Sequence, residues 1–160
     1  MVTLNGTGVD LFSGSVPAFE EIKKLWPVFN SSERVRLHML DKANACGDPL
    51  ICGLVHMLCG NPKTAIENLQ AAPDSLQKYM ALGYCCRTMN RFGEAIDHFS
   101  KAAKLHGDSR SIAMEKAATF RLAGQFDRAR EALDQCSNFK NVSADYHFQI
   151  GKLMDSIGEY

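Results

Sequence analysis

The chain has 160 residues, 46% of them hydrophobic, enough apolar side chain for one continuous core, which excludes disorder over most of its length. Lys plus Arg and Asp plus Glu come to 18 each, so no excess positive charge is at hand to drive binding to nucleic acid or to an anionic membrane. No window is apolar for the length a bilayer span needs, and the start MVTLNGTGVDLFSGS lacks the basic run of a secretory signal, so the chain reads as soluble and cytoplasmic.

Residues 1–15, rich in Gly, Thr and Ser, predict a flexible tail. Residues 16–46 predict a helical hairpin, a degenerate repeat or a cap, with helices at about 17–27 and 31–45. Within it, WPVF around Trp26 reads as an apolar cap, and Asn30 with Glu33 has the form of a capping box. Asp48-Pro49 and Asn61-Pro62 each offer an N-cap followed by Pro at the first helical position, opening helices at about 49–59 and 62–72. Further helices are expected at about 75–89, 92–105, 109–123, 126–136 and 143–157, with no strands between them. The ending GKLMDSIGEY halts where another helix is due, so the natural protein is expected to continue past Tyr160.

An internal period organises residues 47–160. Phe92 and Phe126 stand 34 residues apart, as do Ala95 and Ala129, Gly124 and Gly158, and Phe126 and Tyr160. Gly83 and Gly151 are two such steps apart. An earlier copy carries Gly53, Gly60, Ala65, Leu69 and Ala72 in the same order, but Ala65 precedes Ala95 by only 30, a deletion that a turn at Ala72-Pro73-Asp74 could absorb. Small residues belong where two helices of a hairpin cross closely, because a larger side chain would force the axes apart.

The stretch YMALGYCCRTMNRFGEAIDHFSKAA resembles the tetratricopeptide repeat, whose pattern is an aromatic, then Leu-Gly, later Gly-x-Tyr/Phe-x-x-Ala, then an aromatic and Ala. Departures are Pro62 for an aromatic, Gly107 where the family often has Pro, and Lys116 at a usual Leu position. The resemblance implies an all-α, right-handed superhelical solenoid of antiparallel helix hairpins, its last repeat truncated. It also implies that the first helix of each hairpin lines a concave groove. On that register the groove residues are Leu54 in the early copy, then Met80, Tyr84 and Arg87, then Met114 and Arg121, then Phe148 and Lys152, with Leu50, Gln77 and Ser111 beside them. Adaptable Met and aromatic groups suit an amphipathic segment, and two arginines one repeat apart suit carboxylates. The Lys and Asn with which some relatives clamp a C-terminal carboxylate are replaced here by Leu50 and Leu54.

Nothing in the sequence reads as a catalytic or cofactor-binding motif. Cys52, His56 and Cys59 share one helix face at a spacing a metal could use, yet these are positions where the repeat buries its core, and core packing is the reading adopted. Cys85 and Cys86 point to different faces and read as buried thiols. Glu20 and Glu21 with Lys23 and Lys24 read as an ordinary solvated helix face. The expected function is a scaffold that grips a peptide or partner helix, with no enzyme within the chain. The alternative is the N-terminal arm of a larger sulfotransferase- or glycosyltransferase-type enzyme that positions substrate or mediates assembly. Self-association through an exposed terminal hairpin is a further expectation.

Overall fold

The computed structural model describes residues 9–14, 16–107 and 109–137, and every regular element among them is a helix. In chain order these are α1 (Phe19–Lys23), α2 (Trp26–Ser31), α3 (Glu33–Cys46), α4 (Pro49–Leu58), α5 (Pro62–Ala71), α6 (Leu76–Thr88), α7 (Phe92–His106), α8 (Arg110–Leu122) and α9 (Phe126–Ser137). The helix expected at 143–157 lies outside the described residues. The closest packing joins α4 to α5, α6 to α7 and α8 to α9, while α5 leans on α6 and α7 on α8. Successive antiparallel hairpins therefore stack side by side, as the period predicts.

The small-residue positions explain how each hairpin closes. A Cβ built on Gly53 would lie 2.5 Å from Leu69 Cγ, and one on Gly83 would lie 2.5 Å from Phe99 Cε1. Either contact would force the helices apart. Ala65, Ala95 and Ala129, the matching small residues of the second helices, are all sealed from solvent. In the third hairpin Ala117 takes the place of Gly83, and Leu133, the counterpart of Phe99, packs in the same cluster. The turn inside each hairpin repeats too. Gly60, Asn90 and Gly124 adopt positive φ values of 82°, 61° and 77°. The next amide reaches back to His56, Cys86 and Phe120 respectively, closing the same helix C-terminal loop three times.

Local signals were met in some places and displaced in others. Asp48 caps α4 through Leu50 N at 2.9 Å, whereas Asn61 makes no side-chain cap bond although Pro62 does open α5. Ser32, not Asn30, caps α3, accepting from Val35 N at 3.2 Å. Ser75 and Ser109, one repeat apart, cap α6 and α8. The deletion in the early repeat is taken up by helix length: α5 stops after 10 residues where α7 runs for 15. The single helix expected at 17–27 is broken into α1 and α2, because Pro27 has no N–H and its ring crowds the carbonyl one turn back.

The expected flexible tail needs a correction within its described part. Val9 and Leu11 are buried in the main core, and Phe12 lies under the Lys42 ammonium, 4.4 Å from ring centre to Nζ. Apolar side chains at positions 9, 11 and 12 have core surface to cover, and burying them outweighs the freedom that Gly and Ser would keep. The main core runs without interruption from Val9 through Phe29, Leu58 and Phe99 to Ile112, with a smaller cluster of Ala117, Ala132 and Leu133 between α8 and α9.

Candidate functional site

The first helices α4, α6 and α8 form one face of the stack, and across this face lies the chain's own N-terminal segment. Gln77 on α6 donates its amide to the carbonyls of Val16 at 3.5 Å and Pro17 at 3.4 Å. Tyr84, two turns further along α6, packs between aromatic rings of the segment, with Trp26 at 4.7 Å and Phe19 at 6.3 Å between centroids. On α8, Ser111 donates to the Glu20 carboxylate, and Glu115 accepts from Lys23 Nζ at 2.7 Å. Helix α1 is thus held by side chains from two successive hairpins, while α2 packs on α3.

Glu115 is the electrostatic centre of this contact. Its side chain is only 7% exposed and faces two cations: Lys23 on Oε1, and Arg87 Nη1 at 2.8 Å from Oε2, an ionic contact without hydrogen-bond alignment. Arg87 is itself 12% exposed, and its Nη1 also donates to the Glu115 carbonyl at 3.2 Å and to Thr119 Oγ1 at 3.4 Å. Its guanidinium plane lies 4.9 Å from the Tyr84 ring centre, a cation–π contact joining the charged and aromatic halves of the site. Burial alone would raise the Glu115 pKa, but Arg87 and then Lys23 outweigh it and hold the carboxyl below its ordinary value. Burial works against the Lys23 ammonium as well, and Glu115 reverses that and raises its pKa. Both groups are therefore charged at neutral pH.

The structure sorts the expected groove residues into four kinds. Tyr84 and Arg87 are at the site. Leu54 and Met80, at 0% and 2% exposure, are buried in the main apolar core together with Val9, Leu11 and Phe19 of the N-terminal segment. Met114 packs against the small cluster between α8 and α9, and Arg121 is half-buried with an Nε that finds no hydrogen-bond partner among the described residues. Phe148 and Lys152 lie outside the described residues.

Sequence reasoning missed Glu115, Lys23 and Trp26 as site residues. One signal for Glu115 was available: 34 residues earlier stands Ala81, so a carboxylate occupies a position that the repeat keeps small and buried. The supposedly solvated face of the first helix is a correction. Lys24 and Glu21 do pair with each other in solvent at 2.9 Å, but Lys23 and Glu20 reach across to α8.

The sulfur and imidazole groups are placed for packing. Cys52 Sγ donates to the Ala43 carbonyl at 3.2 Å, and burial pushes the Cys85 thiol up to about 12, where it stays protonated. Burial lowers the His56 and His98 pKa values, and His98 stacks on Tyr79 at 6.2 Å. Among the described residues no three His, Cys, Asp or Glu side chains converge as a metal ion would need, and no helix is long and apolar enough to cross a membrane.

No family model and no curated protein sequence matches the chain. Among solved structures it is similar to MamA, a protein containing tetratricopeptide repeats, with a TM-score of 0.59 and 22% identity, over 90% of this chain and 87% of that one. At that identity the likeness speaks to fold alone. Together with the repeated Gly–Leu, Gly–Phe and Ala–Leu crossings, it makes this an all-helical, tetratricopeptide-like stack of helix hairpins.

Proposed function

We propose that the protein is a binding module that holds a polypeptide segment against the face formed by α4, α6 and α8. The observation that carries this reading is that the face already holds one: α1 and the residues before it are gripped through their backbone by Gln77, through aromatic side chains by Tyr84 and through charge by Glu115. A row of donors, an aromatic platform and a buried carboxylate contributed by two hairpins is a recognition surface for a helix with an adjoining extended stretch. The rigid hairpins order those groups in advance, which lowers the entropic cost of gripping a flexible partner.

Photo-crosslinking in the cell tests the reading. A photoreactive benzoylphenylalanine placed at position 77 or 111 should trap a discrete polypeptide, and the same group at Lys63, exposed on α5, should not. Equal labelling from all three positions would remove the assignment of binding to the first-helix face.

A further inference from the structure

We infer that residues 16–26 occupy this face as a built-in stand-in for the partner, so that the partner is a helix bearing a lysine or arginine with aromatic side chains about one turn to either side, and binds by displacing them. This rests on the binding-module reading above and names the chemistry it selects.

The polarity of the site is the first argument. Two arginines one repeat apart suggest an acidic ligand from sequence, but the arginine at the site is already neutralised. Arg87 spends its charge on Glu115 Oε2, and the outward oxygen, Oε1, takes Lys23. With α1 withdrawn, Oε1 is the acceptor left facing outward, and only a donor, best a cation, satisfies it. An acidic segment would bring a carboxylate against a buried carboxylate.

The spacing is the second. Phe19 and Lys23 stand at i and i+4 on one face of α1 and meet Tyr84 and Glu115, and Trp26, the first residue of α2 beyond the break, meets Tyr84 again. Aromatic groups therefore flank the cation on both sides. Upstream, Gln77 reads only backbone carbonyls, which any sequence supplies, so specificity lies in the aromatic and basic positions and in the apolar ones that Ile22 and Leu25 fill.

The third argument is the construction of the segment. Helix α1 has 5 residues and is cut from α2 by Pro27, too short to persist without the groups that hold it. Because α2 packs on α3, the chain stays tethered beside the face when α1 is displaced, and a partner must then cover the core surface that Phe19, Ile22 and Leu25 bury. A partner then faces a competitor already in place, and its apparent affinity falls by the fraction of chains that are open.

The test uses the full chain and a synthetic peptide copying residues 14–29 with Trp26→Phe, so that Trp26 of the protein, its one tryptophan, is the sole indole emitter. The fluorescein-labelled peptide should bind the Lys23→Glu chain at least about tenfold more tightly than the wild type, since that change repels α1 from Glu115 and opens the face. Saturating the wild type with unlabelled peptide should shift Trp26 emission to the red as the indole leaves Tyr84. A peptide that also carries Lys23→Glu should not compete. Equal affinity for both chains with unmoved Trp26 emission overturns the stand-in and leaves the binding face intact. No saturable binding to either chain, with both folded by circular dichroism, overturns both. A wild-type dimer that forms with rising concentration makes a second copy the occupant and overturns the choice of a foreign partner. Should Lys23→Glu not fold, Lys23→Gln and hydrogen exchange decide: amides of residues 19–23 in the wild type must exchange faster with peptide present, and unchanged exchange counts against displacement.

Discussion

The hairpins α6–α7 and α8–α9 were written to one pattern 34 residues apart, and they solve the same two problems differently. Where the helices cross, the first pairs Gly83 with Phe99 and the second pairs Ala117 with Leu133, so a methyl gained on one helix is matched by a smaller side chain on the other. Near the end of the first helix each carries an arginine. Arg87 is locked to Glu115 of the following hairpin, whereas Arg121 has a buried Nε with no hydrogen-bond partner among the described residues. Equivalent positions in a repeat thus share backbone and volume, while the charge that Arg87 meets is supplied by the hairpin after it.

The largest effect should come from the arginines. Arg87→Met leaves Glu115 buried with one cation and should cost about 3 kcal/mol in denaturant-induced unfolding, the range for stripping one partner from a buried ion pair. Arg121→Met breaks no hydrogen bond to Nε among the described residues and should change stability by no more than about 0.5 kcal/mol. Equal losses would mean that Glu115 adds nothing particular to its neighbour.

The crossing pairs offer a smaller effect and a rescue. Gly83→Ala places a methyl against the Phe99 ring and should cost about 1–3 kcal/mol. Adding Phe99→Leu recreates the solution of the third hairpin and should recover most of that loss, to within about 1 kcal/mol of the parent. If the double variant is instead the sum of two losses, the volumes are not exchanged in the way the comparison implies.

Acid should produce the mildest change. Burial raises the Glu115 pKa, but Arg87 and Lys23 together bring it below the ordinary 4.5, so the folded chain binds this proton less readily than the unfolded one. The stability it contributes is complete above 4.5 and is lost as pH falls from there through the depressed folded value. Besides Arg87 and Lys23, the cluster holds the Thr119 hydroxyl, the Tyr84 ring against Arg87 and the Glu20 carboxylate 3.3 Å from Lys23 Nζ, so Glu115→Gln is the variant that separates Glu115 from Glu20. Trp26 emission should therefore hold steady from neutral pH down to that point and redden below it, and Glu115→Gln should flatten the acid limb. An acid limb unchanged in Glu115→Gln would place the responsible carboxylate elsewhere.

Much of the architecture was legible because it follows from local rules that act within a few residues. Alternation of small and bulky side chains marked the crossings at Gly53 and Gly83, and Asp48-Pro49 announced the start of α4. Asn30 misled, because Ser32 lies two residues closer to the first helical turn and two residues with the same capping chemistry compete for one helix start. The site was less legible. Tyr84 and Arg87 could be placed by register, but that Leu54 and Met80 are fully buried could not, since a helical stripe does not reveal how much of it other parts of the chain will cover. Lys23 and Glu20 looked solvated because nothing in their own helix shows that α8 passes beside them.

From the sequence alone came the helices, their pairing into hairpins and the small residues that let each pair close, since all of these depend on side-chain volume and backbone preference over short separations. Only the tertiary structure decided what lies on the first-helix face. The contact between Lys23 and Glu115 spans 92 residues, and its strength comes from the water that folding excludes around the carboxylate, a property of the assembled hairpins rather than of any segment.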